Sequence, residues 1–203
     1  MNRKEHWEKT YTTRRSSRLS WYQENPDYSL AMIHRAVAGL DEAIIDVGGG
    51  ASVLVDCLLQ AGYEDLTVLD ISSTALARVK VRLGDRSSMI EWIEADITDY
   101  VADRTYALWH DRAVFHFLTR EEDRTSYIHT LRQSLSRGGQ LIIAAFAIGG
   151  PEKCSGLDIV QYDSRGLARE LGSEFRLLEQ AAEEHQTPAG AIQKFGYYRF
   201  IME

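Results

Sequence analysis

A chain of 203 residues, 44% hydrophobic and 26% charged with only three prolines, can bury one continuous core and is too short for two ordinary domains, which excludes a disordered or low-complexity polypeptide. Its formal net charge of −7 opposes the phosphate attraction behind most nucleic-acid binding, so DNA and RNA are not expected partners. Two cysteines cannot build a disulfide framework, no apolar run approaches a membrane span, and the start MNRKEHWEK lacks the apolar stretch of a signal peptide, so the expectation is a cytoplasmic protein with no membrane partner.

Residues 1–40 contain two aromatic clusters and a helix-like stretch from Tyr28 to Ala38, and read as a cap on a core of residues 41–203 within a single domain. The cap gathers Arg3, Lys4, Lys9, Arg14, Arg15 and Arg18, which is either a solvated face or an arm for an anionic partner. From residue 43, short apolar runs alternate with amphipathic stretches. Strands are predicted at Ala43–Val47, Leu66–Leu69, Ile90–Glu94, Tyr106–His110 and Gln140–Ala147. Helices are predicted at Ser52–Ala61, Ser72–Leu83, Glu121–Leu135 and Ser164–Leu171. Two further strands, Phe175–Glu184 and Ala191–Met202, flank a turn with Pro188 and Gly190. This order implies a three-layer α/β domain, a mostly parallel sheet ending in an antiparallel hairpin.

In Ile44-Ile45-Asp46-Val47-Gly48-Gly49-Gly50-Ala51-Ser52 an apolar strand runs directly into three glycines and then a helix. Glycine permits tight turns and close approach of backbone to a ligand. Asp70 ends the next strand at about the 20-residue offset where a carboxylate accepts hydrogen bonds from a ribose diol. Together these features point to a nucleoside cofactor. The nicotinamide pattern GxGxxG fails, because counting from Gly48 its last glycine is Val53, whose side chain obstructs helix-to-sheet packing beside a pyrophosphate.

DVGGGAS resembles the class I methyltransferase motif DxGxGxG, with Asp46, Gly48 and Gly50 matching and Ser52 replacing the last glycine. The resemblance implies a Rossmann-like domain with a seven-stranded sheet and S-adenosylmethionine as cofactor. It puts Asp46 at the methionine end, Gly48, Gly49 and Gly50 under the sulfonium, Asp70 on the ribose, and Ile71 and Ser72 beside the adenine and ribose. At Glu94-Ala95-Asp96-Ile97, Asp96 would face the adenine amino group, with Ile97 beside it. Leu19-Ser20-Trp21-Tyr22-Gln23 resembles the N-terminal lid of such enzymes, so Trp21 and Tyr22 would cover the sulfonium.

At the end of the fourth strand, Leu108-Trp109-His110-Asp111-Arg112-Ala113-Val114-Phe115-His116-Phe117 concentrates ionisable groups among aromatics. Methyl transfer needs an aligned, unprotonated nucleophile, so Asp111, Arg112, His110 and His116 are the candidate catalytic residues. Asp111 and Arg112 could equally form a structural ion pair. Trp109, Asp111-Arg112-Ala113, Asp123-Arg124, Tyr127 and the later Gly150-Pro151 resemble thiopurine and related thiol or halide methyltransferases, which implies a small-molecule substrate, a thiol among the candidates. A second resemblance, to lysine methyltransferases with a DKGTxD strand end, leaves a protein substrate as the alternative, although Arg112 and His116 depart from that pattern. A nicotinamide-dependent oxidoreductase and a non-catalytic cofactor-binding protein are the alternatives of other classes. Cys57 falls in a helical pattern and Cys154 in a loop after the fifth strand, with no nearby ligand set, so no metal is expected.

Overall fold

In the computed structural model, which describes residues 2–203, Ile44–Val47 (β1) is buried throughout, as a strand covered by helices on both faces must be. Leu66–Asp70 (β2), Ile90–Glu94 (β3), Tyr106–Arg112 (β4) and Leu135–Phe146 (β5) run parallel to it. Lys153–Cys154 (β6) and Leu157–Asp158 (β7) form a separate small hairpin, and Phe175–Gln186 (β8) and Ile192–Met202 (β9) add an antiparallel pair to the main sheet. The seven-stranded order is β3-β2-β1-β4-β5-β9-β8, the architecture expected from the alternating runs.

Side-chain alternation along the strands separates two cores. Ile44, Leu66, Val68, Leu108 and Ile142 pack with Asp27–Ala36 (α2), Leu54–Gln60 (α3) and Ser73–Leu83 (α4). Ile45, Val47, Trp109, Leu141 and Ile143 face the other way, toward Glu121–Ser134 (α5) and Ser164–Leu171 (α6). The chain leaves β1 toward β2 and β3, then crosses to β4 on the opposite side of β1. This reversal opens a crevice at the carboxyl ends of β1 and β4, where ligands bind in open α/β sheets.

Several boundaries differ from the sequence expectation. The helix after the glycines starts at Leu54, because Ser52 donates its N–H to the Gly49 carbonyl and closes a turn first. β4 continues through Arg112, and β5 begins at Leu135, directly after α5. The β6–β7 hairpin lies in a stretch read as loop. Arg3–Thr13 (α1) was not apparent at all: it is mostly polar and is held by contacts to the core. Two of its three basic residues meet the domain's own carboxylates, Arg3 with Asp96 and Asp123, and Lys4 with Glu94. Among the described residues, no helix is long and apolar enough to cross a membrane.

Candidate active site

Three glycines follow β1 because the neighbouring side chains leave no room for more. A Cβ on Gly48, which has φ +70°, would lie 2.0 Å from Val114 Cγ2. On Gly49 it would lie 2.5 Å from Asp46 Oδ2, and on Gly50, 2.3 Å from Asp70 Oδ2. The loop is thereby packed directly against two carboxylates and the turn after β4. The Gly48 N–H donates to the Leu69 carbonyl at 2.7 Å, fixing the loop to the end of β2.

Asp70, buried at the end of β2, accepts the Ser72 N–H at 2.8 Å. Burial, reinforced by the nearby carboxylates Asp46 and Glu8, outweighs the backbone hydrogen bonds and raises its pKa to about 7. Ser72 is fully buried and uses its hydroxyl to cap α4 by accepting the Ala75 N–H, so it positions Asp70 and does not line the cleft. Asp96, beyond β3, accepts from the Thr98 N–H and hydroxyl and pairs with Arg3 at 3.4 Å.

Asp70 and Asp96 border a cleft at the carboxyl ends of the strands that, counted with the open solvent at its mouth, measures about 730 Å³. Asp70, Ile71, Asp96 and Ile97 line one end, and Gly48 the floor. Trp7, Tyr11 and Trp21 from the cap meet Phe117, Leu118 and Cys154 at the other. The Trp7 ring stands edge-to-face against both Trp21 (5.6 Å) and Phe117 (5.0 Å), giving an aromatic wall. An adjoining cleft of about 560 Å³ is lined by Asp46, Gly49, Ser52, His110 and Tyr22. Tyr11, Trp21, Gly48 and Arg112 border both. Trp21 therefore overlooks the junction, whereas Tyr22 reaches only the smaller cleft. Gly50 contributes through its close packing on Asp70 and borders neither cleft.

The four candidate catalytic residues separate sharply. His110 has both ring nitrogens engaged, Nδ1 2.7 Å from Asp46 Oδ1 and Nε2 2.9 Å from Ser29 Oγ, so it braces Asp46 and is not a free base. Asp111 lies on the opposite strand face, fully buried. It accepts from the N–H groups of Val114 (2.9 Å) and Phe115 (3.1 Å) and from the Tyr127 hydroxyl (2.7 Å), and borders neither cleft. Burial raises its pKa to about 6 despite these donors. Asp111 thus holds the turn in which Ala113 adopts φ +71° and Val114 meets Gly48. His116 is fully buried against Phe117 and Phe146, and burial lowers its pKa to about 3, so it stays neutral and away from the cleft. The anticipated Asp111–Arg112 ion pair does not form; the carboxylate partner of Arg112 is Glu183, at 3.6 Å.

Only Arg112 reaches the larger cleft. Sequence reasoning missed Trp7, Tyr11 and Phe117 as cleft walls; the i, i+4 spacing of Trp7 and Tyr11 was the available signal. Cys154 is not a plain loop cysteine but a buried residue of β6 bordering the cleft, its thiol raised to about 11 by burial.

Residues 44–139 match the family described as "Methyltransferase domain". The eEF1A lysine and N-terminal methyltransferase of Mus musculus is 25% identical over 130 residues, 64% of this chain and 18% of that protein. The Bos taurus protein of the same name is 24% identical over 155 residues, 75% of this chain and 21% of its own length. The chain thus spans about a fifth of the curated relatives it matches. Among solved structures, N-methyltransferase NodS from Bradyrhizobium japonicum in complex with S-adenosylhomocysteine superposes with a TM-score of 0.74 at 18% identity, covering 99% of both chains. A SAM-dependent methyltransferase from Anabaena variabilis gives 0.77 at 14% identity, covering 100% of this chain and 96% of the other. These similarities extend the shared fold over the cap and the C-terminal strands.

Proposed function

We propose that this chain carries a class I, Rossmann-like S-adenosylmethionine-dependent methyltransferase domain and moves the donor's methyl group to a small thiol, a reading supported by the methyltransferase-domain match over residues 44–139. The residues fit the donor. Asp46 Oδ2 is buried without a hydrogen-bond partner and suits an ammonium group. The glycine loop leaves bare backbone where any Cβ would collide with its neighbours. Asp70 offers a carboxylate for a ribose diol, and Asp96 one for an adenine amino group. When bound, S-adenosylmethionine supplies an electrophilic methyl group on a sulfonium. The aromatic wall of Trp7, Trp21 and Phe117 excludes water from that end of the cleft and attracts cationic character.

The observation that carries the acceptor assignment is the lack of a free base on the cleft wall. Asp70 and Asp96 belong to the nucleoside end, Arg112 is a cation, and the Cys154 thiol is raised to about 11. His110, Asp111 and His116 are occupied or remote. The acceptor must therefore ionise without help. An ordinary thiol, with a pKa of about 8.5, already has a thiolate fraction near neutral pH, whereas a lysine ammonium at about 10.4 does not. The cap also contributes Trp7, Tyr11 and Trp21 to the cleft wall. Free Cys57 and Cys154 suit a reducing cytoplasmic setting.

The transfer rate with a small aliphatic thiol is expected to rise with pH until the pH passes the thiol's own pKa. A more acidic thiol should shift that limb down by the difference between the two pKa values, as followed by S-adenosylhomocysteine release. A limb that stays fixed for both thiols would instead reveal a base on the protein. In whole lysate with methyl-labelled donor, label confined to protein would overturn the assignment in favour of a protein lysine acceptor. No release with any thiol or lysate would point to a binding protein without turnover.

A further inference from the structure

We propose that Arg112 is the carboxylate-binding residue of an amino-acid subsite behind the glycine loop, set against Asp46 so that the two hold the zwitterionic end of the methyl donor. The inference rests on the donor reading above and extends it to a residue outside the glycine motif.

Two buried groups of opposite charge border the smaller cleft, and each has one unpartnered atom: Asp46 Oδ2, an acceptor, and Arg112 Nη2, a donor. Their remaining atoms are fixed. Asp46 Oδ1 is 2.7 Å from His110 Nδ1. Arg112 donates from Nε to the Tyr197 hydroxyl at 2.8 Å and from Nη1 to the Trp21 carbonyl at 3.0 Å. Its guanidinium lies 4.4 Å from the Phe195 ring centre, and its side chain is only 10% exposed. The guanidinium is thus held rigidly with one nitrogen left over. Glu183 does not satisfy that nitrogen. Its oxygens already accept from Gln23 at 2.7 Å and Tyr197 at 3.0 Å, and it stands 3.6 Å from Nη2, beyond hydrogen-bond reach.

A buried donor and a buried acceptor each left unpaired destabilise the free protein, so a ligand that satisfies both gains twice. An α-amino acid end carries one ammonium and one carboxylate and so offers a donor to the one atom and an acceptor to the other. Arg112 is the only Lys or Arg bordering the smaller cleft among the described residues. The carboxylate would also offset the repulsion between the guanidinium and a sulfonium in the neighbouring cleft.

Calorimetric titration with S-adenosylhomocysteine and with 5′-methylthioadenosine, which lacks the amino-acid end, separates this subsite from the rest. The wild-type protein should bind S-adenosylhomocysteine far more tightly. Arg112→Met should weaken S-adenosylhomocysteine about 30-fold, the scale of a charge-assisted hydrogen bond, while methylthioadenosine stays within about threefold. Arg112→Lys, which keeps the charge but loses the planar fork, should fall between the two. S-adenosylhomocysteine affinity unchanged in Arg112→Met would overturn the proposal, as would equal losses for both ligands in both variants. Wild-type protein that binds the two ligands alike would overturn the subsite and leave the adenosyl site intact. Binding of neither would instead remove the donor reading itself.

Discussion

Asp111→Ala is expected to cost about 3 kcal/mol of folding stability, because it strips the acceptor from two buried donors and a third, part-buried one at once. The Val114 and Phe115 N–H groups and the Tyr127 hydroxyl have no other acceptor among the described hydrogen bonds. Each unpaired donor costs roughly 1 to 3 kcal/mol, partly offset by removal of a carboxylate whose burial is itself unfavourable. The damage should spread, since the turn that Asp111 holds brings Val114 against Gly48. Asp111→Asn retains an acceptor oxygen and should lose much less. Urea unfolding checks this through the midpoint at an unchanged slope. An Asp111→Ala protein as stable as wild type but slow in transfer would return Asp111 to the chemistry.

Asp70→Asn is expected to weaken S-adenosylhomocysteine binding about 100-fold at pH 8, because two ribose hydroxyls would lose a carboxylate acceptor. The pH dependence has a definite sign. With a pKa of about 7 in the free protein, Asp70 is ionised above that pH, and diol donors favour the ionised form. Affinity should therefore be full above pH 7 and fall by about tenfold per unit as pH drops through and below 7. Asp70→Asn should flatten that profile. Without ligand at pH 8, the neutral isostere should melt no lower than wild type, because it relieves a charge that burial disfavours. Calorimetry and thermal melts across pH 5.5–8.5 check both effects; an unchanged affinity in Asp70→Asn would detach Asp70 from the ribose.

The two residues illustrate what the sequence could reveal. Asp70 follows a run of apolar residues at a spacing dictated by the strand-helix-strand repeat, so its position at the crevice was legible. The glycines were legible for the same reason, since a strand that ends in three of them needs a cause, here the collisions with Val114, Asp46 and Asp70. The residues after β4 were not. Ionisable groups clustered at a strand end resemble a catalytic set, yet alternation turns Asp111 toward Tyr127 while His110 and Arg112 share the opposite face. Applying that period would have separated Asp111 from Arg112. What the period could not supply is the long-range partner of each group: Ser29 for His110, Glu183 and Tyr197 for Arg112.

The cap was the least legible part for a different reason. α1 lacks an amphipathic pattern strong enough to announce itself and is stabilised by tertiary contacts. Glu8 accepts from Ser73 and Thr74 at the start of α4, Lys4 reaches Glu94 at the end of β3, and Arg3 reaches Asp96 just beyond it. Those contacts place Trp7 and Tyr11 over the cleft. Composition alone reads the same basic residues as a solvated arm.

Titration of the wild-type protein with S-adenosylhomocysteine and, separately, with NAD decides whether the crevice between β1 and β4 is a methyl-donor site. The expected result is saturable binding of one S-adenosylhomocysteine per chain and no binding of NAD. Saturable binding of NAD without S-adenosylhomocysteine would contradict it.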